Sequence, residues 1–186
     1  KAQDSQMPLS GKTIMVDPGH GGSESGAIGP LGTKYSEKTI NLNAALKLKT
    51  ELEKKGAKVI MTRTSDIALS LEKRLAASRT ARPDMFVSMH ANSMGDNVDI
   101  SKVEGFSVFY REALAGAIAQ GVLTNTVETL QRKNMGMTMK NFYVIRGTWA
   151  PSILVESGFV PNPVEFEWLT DEEEQNKLAS SICEAI

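Results

Sequence analysis

The amino-acid sequence predicts an α/β layered fold in a single domain, and three observations predict it. Strand-like apolar runs alternate with helix-like segments along the chain. The 186 residues, 41% of them hydrophobic, suit one domain with a core large enough to stand alone. No internal repeat or low-complexity tract breaks the pattern.

Each element follows from its residues. Lys1 to Ser10 is polar and lacks an apolar core, so residues 1–10 read as a polar N-terminal extension without a signal peptide, and 11–186 as the folded domain. Strands are predicted at Thr13–Asp17, Lys58–Arg63, Met85–Ala91, Gly105–Tyr110, Phe142–Arg146 and Ser152–Glu156, where β-forming apolar residues are bounded by turn residues. A first helix is predicted from about Glu37 to Lys55. Its residues Ile40, Leu42, Ala45, Leu46, Leu48 and Leu52 make a broad apolar stripe, and Gly56 supplies a C-cap. A second spans Leu71–Ala81, capped by Ser70, with Lys73 where a capping box would place Glu, and stopped by Pro83. A third covers Ala113–Gln131. The last begins near Thr170, where Thr170-Asp171-Glu172-Glu173 reads as a capping box, and runs through Leu178, Ile182 and Ile186. Gly19–Gly32 and Asp96–Lys102 are polar loops at strand ends, where function concentrates.

Composition excludes several classes. A net charge of −1 gives no basic surface for nucleic acid. No apolar run approaches the roughly 20 residues that cross a bilayer. Cys183 is the only cysteine, which rules out intrachain disulfides and cysteine-rich zinc sites and reads as a buried apolar filler. The glycines of Gly19–Gly26 lack the following Lys-Ser/Thr of a phosphate-binding loop.

The chemistry rests on the only two histidines. His20 follows the run Thr13–Asp17, and His90 closes Met85–His90. A histidine at the carboxyl end of a strand in an α/β sheet points into the crevice where such folds bind ligands. One alone reads as a satisfied structural residue; two, with carboxylates at similar strand ends, read as a metal-ligand pair. Two imidazoles and one carboxylate leave the fourth tetrahedral position of zinc open, the pattern of a hydrolytic site. The third ligand has three candidates, Asp17, Glu24 and Glu37, with Asp17 alternatively orienting His20. The run Ser152–Glu156 ends in a glutamate, a costly place for a charge unless it is paired or beside a metal. Glu156 therefore reads as a general base. Arg63, Arg146 and Asn92 are candidate substrate contacts, the arginines as carboxylate grips. Tyr143 and Trp149 could stack on sugar or pack, and the alternating Met135, Met137 and Met139 read as adaptable packing before the fifth strand.

Five motifs stand in order: Asp17-Pro18-Gly19-His20-Gly21-Gly22; Ser36-Glu37-Lys38 with Asn41-Leu42; Thr62-Arg63; Ser88-Met89-His90-Ala91-Asn92; and Leu154-Val155-Glu156-Ser157-Gly158-Phe159. The series resembles the zinc-dependent N-acetylmuramoyl-L-alanine amidases that cut bacterial peptidoglycan, over about Lys12 to Ile186. By that resemblance His20, Glu37 and His90 hold one Zn2+ ion and Glu156 is the catalytic glutamate. It implies a twisted, mostly parallel sheet of about six strands with helices on both faces. It also implies hydrolysis of the amide between the lactyl group of N-acetylmuramic acid and L-alanine. An extracellular or periplasmic, wall-associated monomer with no membrane span follows, its partner being the peptidoglycan glycan-peptide and any wall-binding domains lying elsewhere in a longer chain.

Two departures from the family pattern matter. Only Ser93 to Tyr110 separates His90 from the end of the next strand, which implies a site free of the blocking helix of activator-dependent members. Ser78 stands near where the family carries asparagine. The competing readings are a carboxypeptidase or deacetylase on a similar fold, and a wall-binding module with a relic site.

Overall fold

The computed structural model describes residues 7–95, 97–147 and 149–186. Of the expected extension, residues 1–6 lie outside the described residues, and Leu9 already packs against the core. Six strands form one sheet: β1 (Thr13–Pro18), β2 (Lys58–Met61), β3 (Met85–Asn92), β4 (Phe106–Tyr110), β5 (Asn134–Met139) and β6 (Ser152–Phe159). Their order is β2-β1-β3-β6-β4-β5. Every pairing is parallel except β4 against β6. The helices are α1 (Glu37–Lys54), α2 (Leu71–Ala81), α3 (Ala113–Leu130), α4 (Pro163–Thr170) and α5 (Glu172–Ala185). The expected mostly parallel sheet with helices on both faces is the fold observed.

The central strands β1, β3 and β6 are mostly apolar because both faces are covered. Ile14, Val16, Val87, Ile153 and Val155 join the large cluster formed with Leu48 and Leu52 of α1, Ala119 and Val122 of α3, and Leu178 and Ile182 of α5. Their neighbours Met15, Phe86 and Leu154 turn to the other face, where Val144 and Ile145 cover them and Ala77 and Ala81 of α2 pack alongside. The period of two along each strand thus divides the core into two layers. A third cluster joins Ala91 to Val160, Phe166 and Leu169, seating α4 beside the ends of β3 and β6.

Local chemistry sets most boundaries. Ser70 accepts from the Lys73 N–H at 3.3 Å, so the serine caps α2 without a glutamate partner. Three corrections follow. The run Phe142–Arg146 is not a strand: Tyr143–Ile145 is a 3-10 turn whose Val144 and Ile145 are buried against the sheet face. The fifth strand is instead the methionine segment Asn134–Met139, a partly exposed edge strand beside β4. Thr170 ends α4 rather than starting the last helix; Asp171 caps α5, accepting from the Glu174 N–H at 2.9 Å. Helix α4 was not expected, although its start is written in Asn162-Pro163, where Asn162 accepts from Val164 N and Pro163 takes the first turn. Between β3 and β4 the described residues hold one 3-10 turn, Ile100–Lys102, and no α-helix.

Candidate metal centre and active site

Three adjacent strands deliver the site. β1 ends two residues before His20, β3 carries His90 near its end, and β6 carries Glu156 opposite His90. All three lie at the carboxyl edge, where α/β sheets bind ligands. Glu37 arrives from the first turn of α1, a position the helix dipole favours for a carboxylate. The preceding loop folds back over that helix start: the Glu37 N–H donates to Ala27 O at 2.8 Å and Lys38 N–H to Ser25 O at 3.0 Å.

Glu37 Oε1 is the meeting point. It lies 2.9 Å from His90 Nδ1 and 3.1 Å from His20 Nε2, and it accepts from Asn41 Nδ2 at 3.2 Å and Ala91 N–H at 3.3 Å. Its Oε2 accepts from Ala27 N–H at 2.9 Å. The two rings stand edge to face, with centroids 5.1 Å apart. One donor atom from each of His20, Glu37 and His90 falls within 4.8 Å of the others. Two neutral imidazoles and a fixed carboxylate are the donors a tetrahedral divalent ion takes, with one position left for water or substrate. The residues present therefore fit a zinc ion.

The charges respond to one another. Burial opposes charge on Glu37, but the hydrogen bonds to both histidines and their positive charge outweigh it and hold the carboxyl far below its ordinary value. Burial likewise opposes the charged form of His90, and the Glu37 bond with the Glu156, Glu37 and Asp17 carboxylates overcomes it, so His90 is raised. Glu156 goes the other way. Burial pushes its carboxyl up to about 7, with the Glu37 charge adding and His90 subtracting. Its Oε2 is buried and has no hydrogen-bond partner among the described residues. Glu156 as a whole is half-buried, and its surroundings beside the histidine-carboxylate cluster set its proton affinity.

Glycine is required where the backbone touches these rings. A Cβ on Gly19 would fall 2.2 Å from His90 Cε1, and one on Gly26 would fall 2.4 Å from Glu37 Oε2 at φ +65°. His20 itself holds φ 59°, a left-handed conformation that needs outside support.

That support comes from two buried arginines. Arg74 Nη1 donates to Pro18 O at 2.7 Å and Nη2 to His20 O at 2.6 Å. Arg63 Nε donates to Pro18 O at 3.0 Å and Nη2 to Gly19 O at 2.8 Å. Asp17 neutralises this pair from below. It takes Arg74 Nη1 at 2.6 Å, Thr62 Oγ1 at 2.5 Å and Ser88 Oγ at 2.8 Å. Asp17, open until now as a ligand, is fully buried in this network and away from the donor cluster. Glu24 is outside the cluster too.

Comparison with known proteins supplies the family. A family model described as N-acetylmuramoyl-L-alanine amidase matches residues 14–186. The chain belongs to the N-acetylmuramoyl-L-alanine amidase family. It is 34% identical over 179 residues to the probable cell wall amidase LytH of Staphylococcus saprophyticus, covering 96% of this chain and 58% of LytH. It is 33% identical over 183 residues to YqiI of Bacillus subtilis, covering 96% of this chain and 85% of YqiI. The catalytic domain of CwlV, an amidase from Bacillus (Paenibacillus) polymyxa var. colistinus, superposes with a TM-score of 0.86 at 34% identity, over 94% of this chain and 95% of that one. The chain thus spans less than two thirds of LytH.

Within this family frame the remaining site candidates fall into place. Arg63 is a correction: it is 2% exposed and spends its guanidinium on backbone carbonyls, so it braces the His20 loop and does not face substrate. Arg146 follows the 3-10 turn rather than a strand. Its Nε and Nη2 are occupied by Asn141, and its guanidinium lies 5.0 Å from the Tyr143 ring centre. Asn92 ends β3 and shapes the next turn, its Oδ1 accepting from Ser93 N–H at 2.8 Å. Ser78 is buried and accepts from Trp149 Nε1 at 3.0 Å, so a small hydroxyl anchors that indole. Arg74 and Asn41 were missed as site residues; Asn41 stood inside the second motif, four residues after Glu37, the helical spacing at which side chains meet.

Proposed function

We propose that this protein is a zinc-dependent hydrolase of the amide between N-acetylmuramic acid and L-alanine in bacterial peptidoglycan. The observation that carries the reading is the convergence of His20 Nε2 and His90 Nδ1 on one oxygen of Glu37, with the unpartnered Glu156 carboxyl on the neighbouring strand. His20, Glu37 and His90 would hold the ion. When bound, zinc lowers the pKa of a water toward neutrality and polarises the scissile carbonyl.

The chain's own residues do the rest. Glu156 as carboxylate accepts a proton from the attacking water. As acid it returns that proton to the alanine nitrogen, so the amine departs neutral. In the metal-free protein burial pushes this carboxyl up to about 7, and a nearby cation draws it down from there, toward the carboxylate that the first half of the cycle needs. Glu37, fixed by Asn41 and Ala27, stays ionised throughout.

The short β3–β4 connection supports a site that works without an activator protein. Such an enzyme meets its polymer outside the cytoplasm, in the wall, as a monomer. Digestion of purified peptidoglycan tests the reading. Free L-alanine N-termini should appear without new reducing sugar ends, stop on chelation and return with zinc. New C-terminal D-amino acids would favour a carboxypeptidase instead.

A further inference from the structure

β6 falls out of step with β3 immediately after Glu156. Successive pairs run in register from Phe86 opposite Ser152 to His90 opposite Glu156. The next pair joins Asn92 to Phe159, so β6 takes three steps where β3 takes two, and the extra residue falls within Ser157-Gly158. A bulge of this kind bends its strand and re-aims the side chains beside it.

The bulge is tied down on both sides. Ser157, 2% exposed, donates from Oγ to His90 O at 3.0 Å, so it reaches back to the strand of a metal-ligand candidate. Phe159 N–H donates to Glu165 Oε2 at 3.2 Å, which brings in α4 from beyond the strand end. Gly158, between them, makes room for that carboxylate: a Cβ there would fall 2.8 Å from Glu165 Oε2. Each tether uses a side chain to hold the backbone where the register breaks.

Glu156 depends on such tethers more than Glu37 does. Glu37 is anchored at both oxygens, by Asn41 and Ala91 on Oε1 and by Ala27 on Oε2. Glu156 Oε2 has no hydrogen-bond partner among the described residues. Such a carboxylate points where its backbone and its packing aim it, and catalytic groups must be held to within about 0.5 Å.

We infer that Ser157 and Glu165 are positioning residues: they hold the bulge that turns Glu156 toward the attacking water. The inference rests on the reading of Glu156 as general base. It extends that reading from one side chain to the bulge behind it and the helix that secures the bulge.

A mutant cycle on the zinc-loaded protein tests it, with muramidase-solubilised peptidoglycan as substrate and new amino termini as the signal. Ser157→Ala removes one tether and should lower kcat about tenfold to a hundredfold while KM stays within about twofold of wild type. Gly158→Ala presses on the other tether through Glu165 and should do the same from the opposite side. Ser157→Cys, whose thiol is a weaker donor, should fall between Ser157→Ala and wild type, and it carries the cycle if Ser157→Ala does not fold. Zinc content should match wild type in all three, because His20, Glu37 and His90 lose no side-chain partner. Glu156→Gln sets the floor. In that background the same substitutions should have no further effect, since no base is left to aim. Losses that multiply across the cycle, or wild-type kcat in all three single variants, would overturn the inference and leave the base assignment standing. Undiminished turnover in Glu156→Gln, or none in the wild type, would instead remove the base, and the inference with it.

Discussion

Arg74 Nη2 donates to the carbonyl of His20 at 2.6 Å, so a residue of α2 holds the backbone of a metal-ligand candidate on a loop 54 positions away. The same guanidinium is ion-paired to buried Asp17. This arrangement fixes His20 in its left-handed conformation and aims Nε2 at Glu37. Outer-shell partners of metal-binding histidines commonly contribute 10–100-fold in affinity. Arg74→Lys keeps the charge for Asp17 but cannot reproduce the fork over Pro18 and His20. It should stay folded and bind zinc at least about tenfold more weakly in competition with a chromogenic chelator. Arg74→Met should also lose roughly 3–5 kcal/mol of stability, because Asp17 is left buried and uncompensated. Wild-type zinc affinity in a folded Arg74→Lys protein would show that the grip does not position His20.

Gly19 gives a steric version of the same test. A methyl there would overlap His90 Cε1 and Nε2 at 2.2 and 2.3 Å. Gly19→Ala must displace the ring, at about 1–3 kcal/mol of overpacking cost, and it should weaken zinc binding by the same route. Gly95→Ala is the control, since among the described residues, its chain neighbours aside, nothing lies within 4 Å of the added carbon. Thermal melts and chelator competition on the pair separate a local ring clash from a general intolerance of alanine.

Glu165 marks a second buried brace. It is 1% exposed, its Oε2 accepts from Gly105 N–H at 3.0 Å and Phe159 N–H at 3.2 Å, and its Oε1 pairs with Arg132. It ties the head of β4 to the tail of β6, three residues beyond Glu156. Glu165→Ala should cost about 3–5 kcal/mol by leaving these donors and Arg132 without their partner. Glu165→Gln retains a carbonyl acceptor and should recover part of that loss. Urea melts decide it: equal midpoints for all three proteins would mean the brace contributes nothing.

Sequence revealed the site better than its supports. His20, His90 and Glu156 stand out because a polar residue closing an apolar run has few structural uses. Arg63 and Arg74 leave no such mark, since their partners are the carbonyls of Pro18, Gly19 and His20, and a carbonyl has no letter in the sequence. Arg63 therefore read as a substrate grip. The strand errors share one cause. Phe142-Tyr143-Val144-Ile145 is rich in β-formers, yet Tyr143–Ile145 is a 3-10 turn whose Val144 and Ile145 are buried because the face of Met15 and Phe86 needs a cover there. Asn134–Met139 has the alternation of a strand, but methionine, glycine and asparagine conceal it, and as an edge strand it gains only one neighbour.

The pH dependence of the metal-free protein isolates Glu156. Its carboxyl has an ordinary value of 4.5 and is pushed to about 7 in the folded protein by burial. The folded state therefore binds this proton more tightly than the unfolded chain does. Sign follows from linkage: the contribution is fully present below pH 4.5 and is lost as pH rises through 7, where a charge must sit on a half-buried carboxyl with one oxygen buried and unpartnered. Glu156→Gln carries no charge at any pH. Without metal, its melting temperature should match wild type near pH 4 and exceed it near pH 8, by up to about 3 kcal/mol of stability. A nearby cation favours the carboxylate, so zinc should shrink that gap in the loaded proteins. The same variant should keep its zinc and lose most turnover, because an amide neither accepts the water proton nor returns one. Parallel melting curves for the two metal-free proteins from pH 4 to 8 would place the Glu156 carboxylate in ordinary solvent and remove the physical basis for its role as a base.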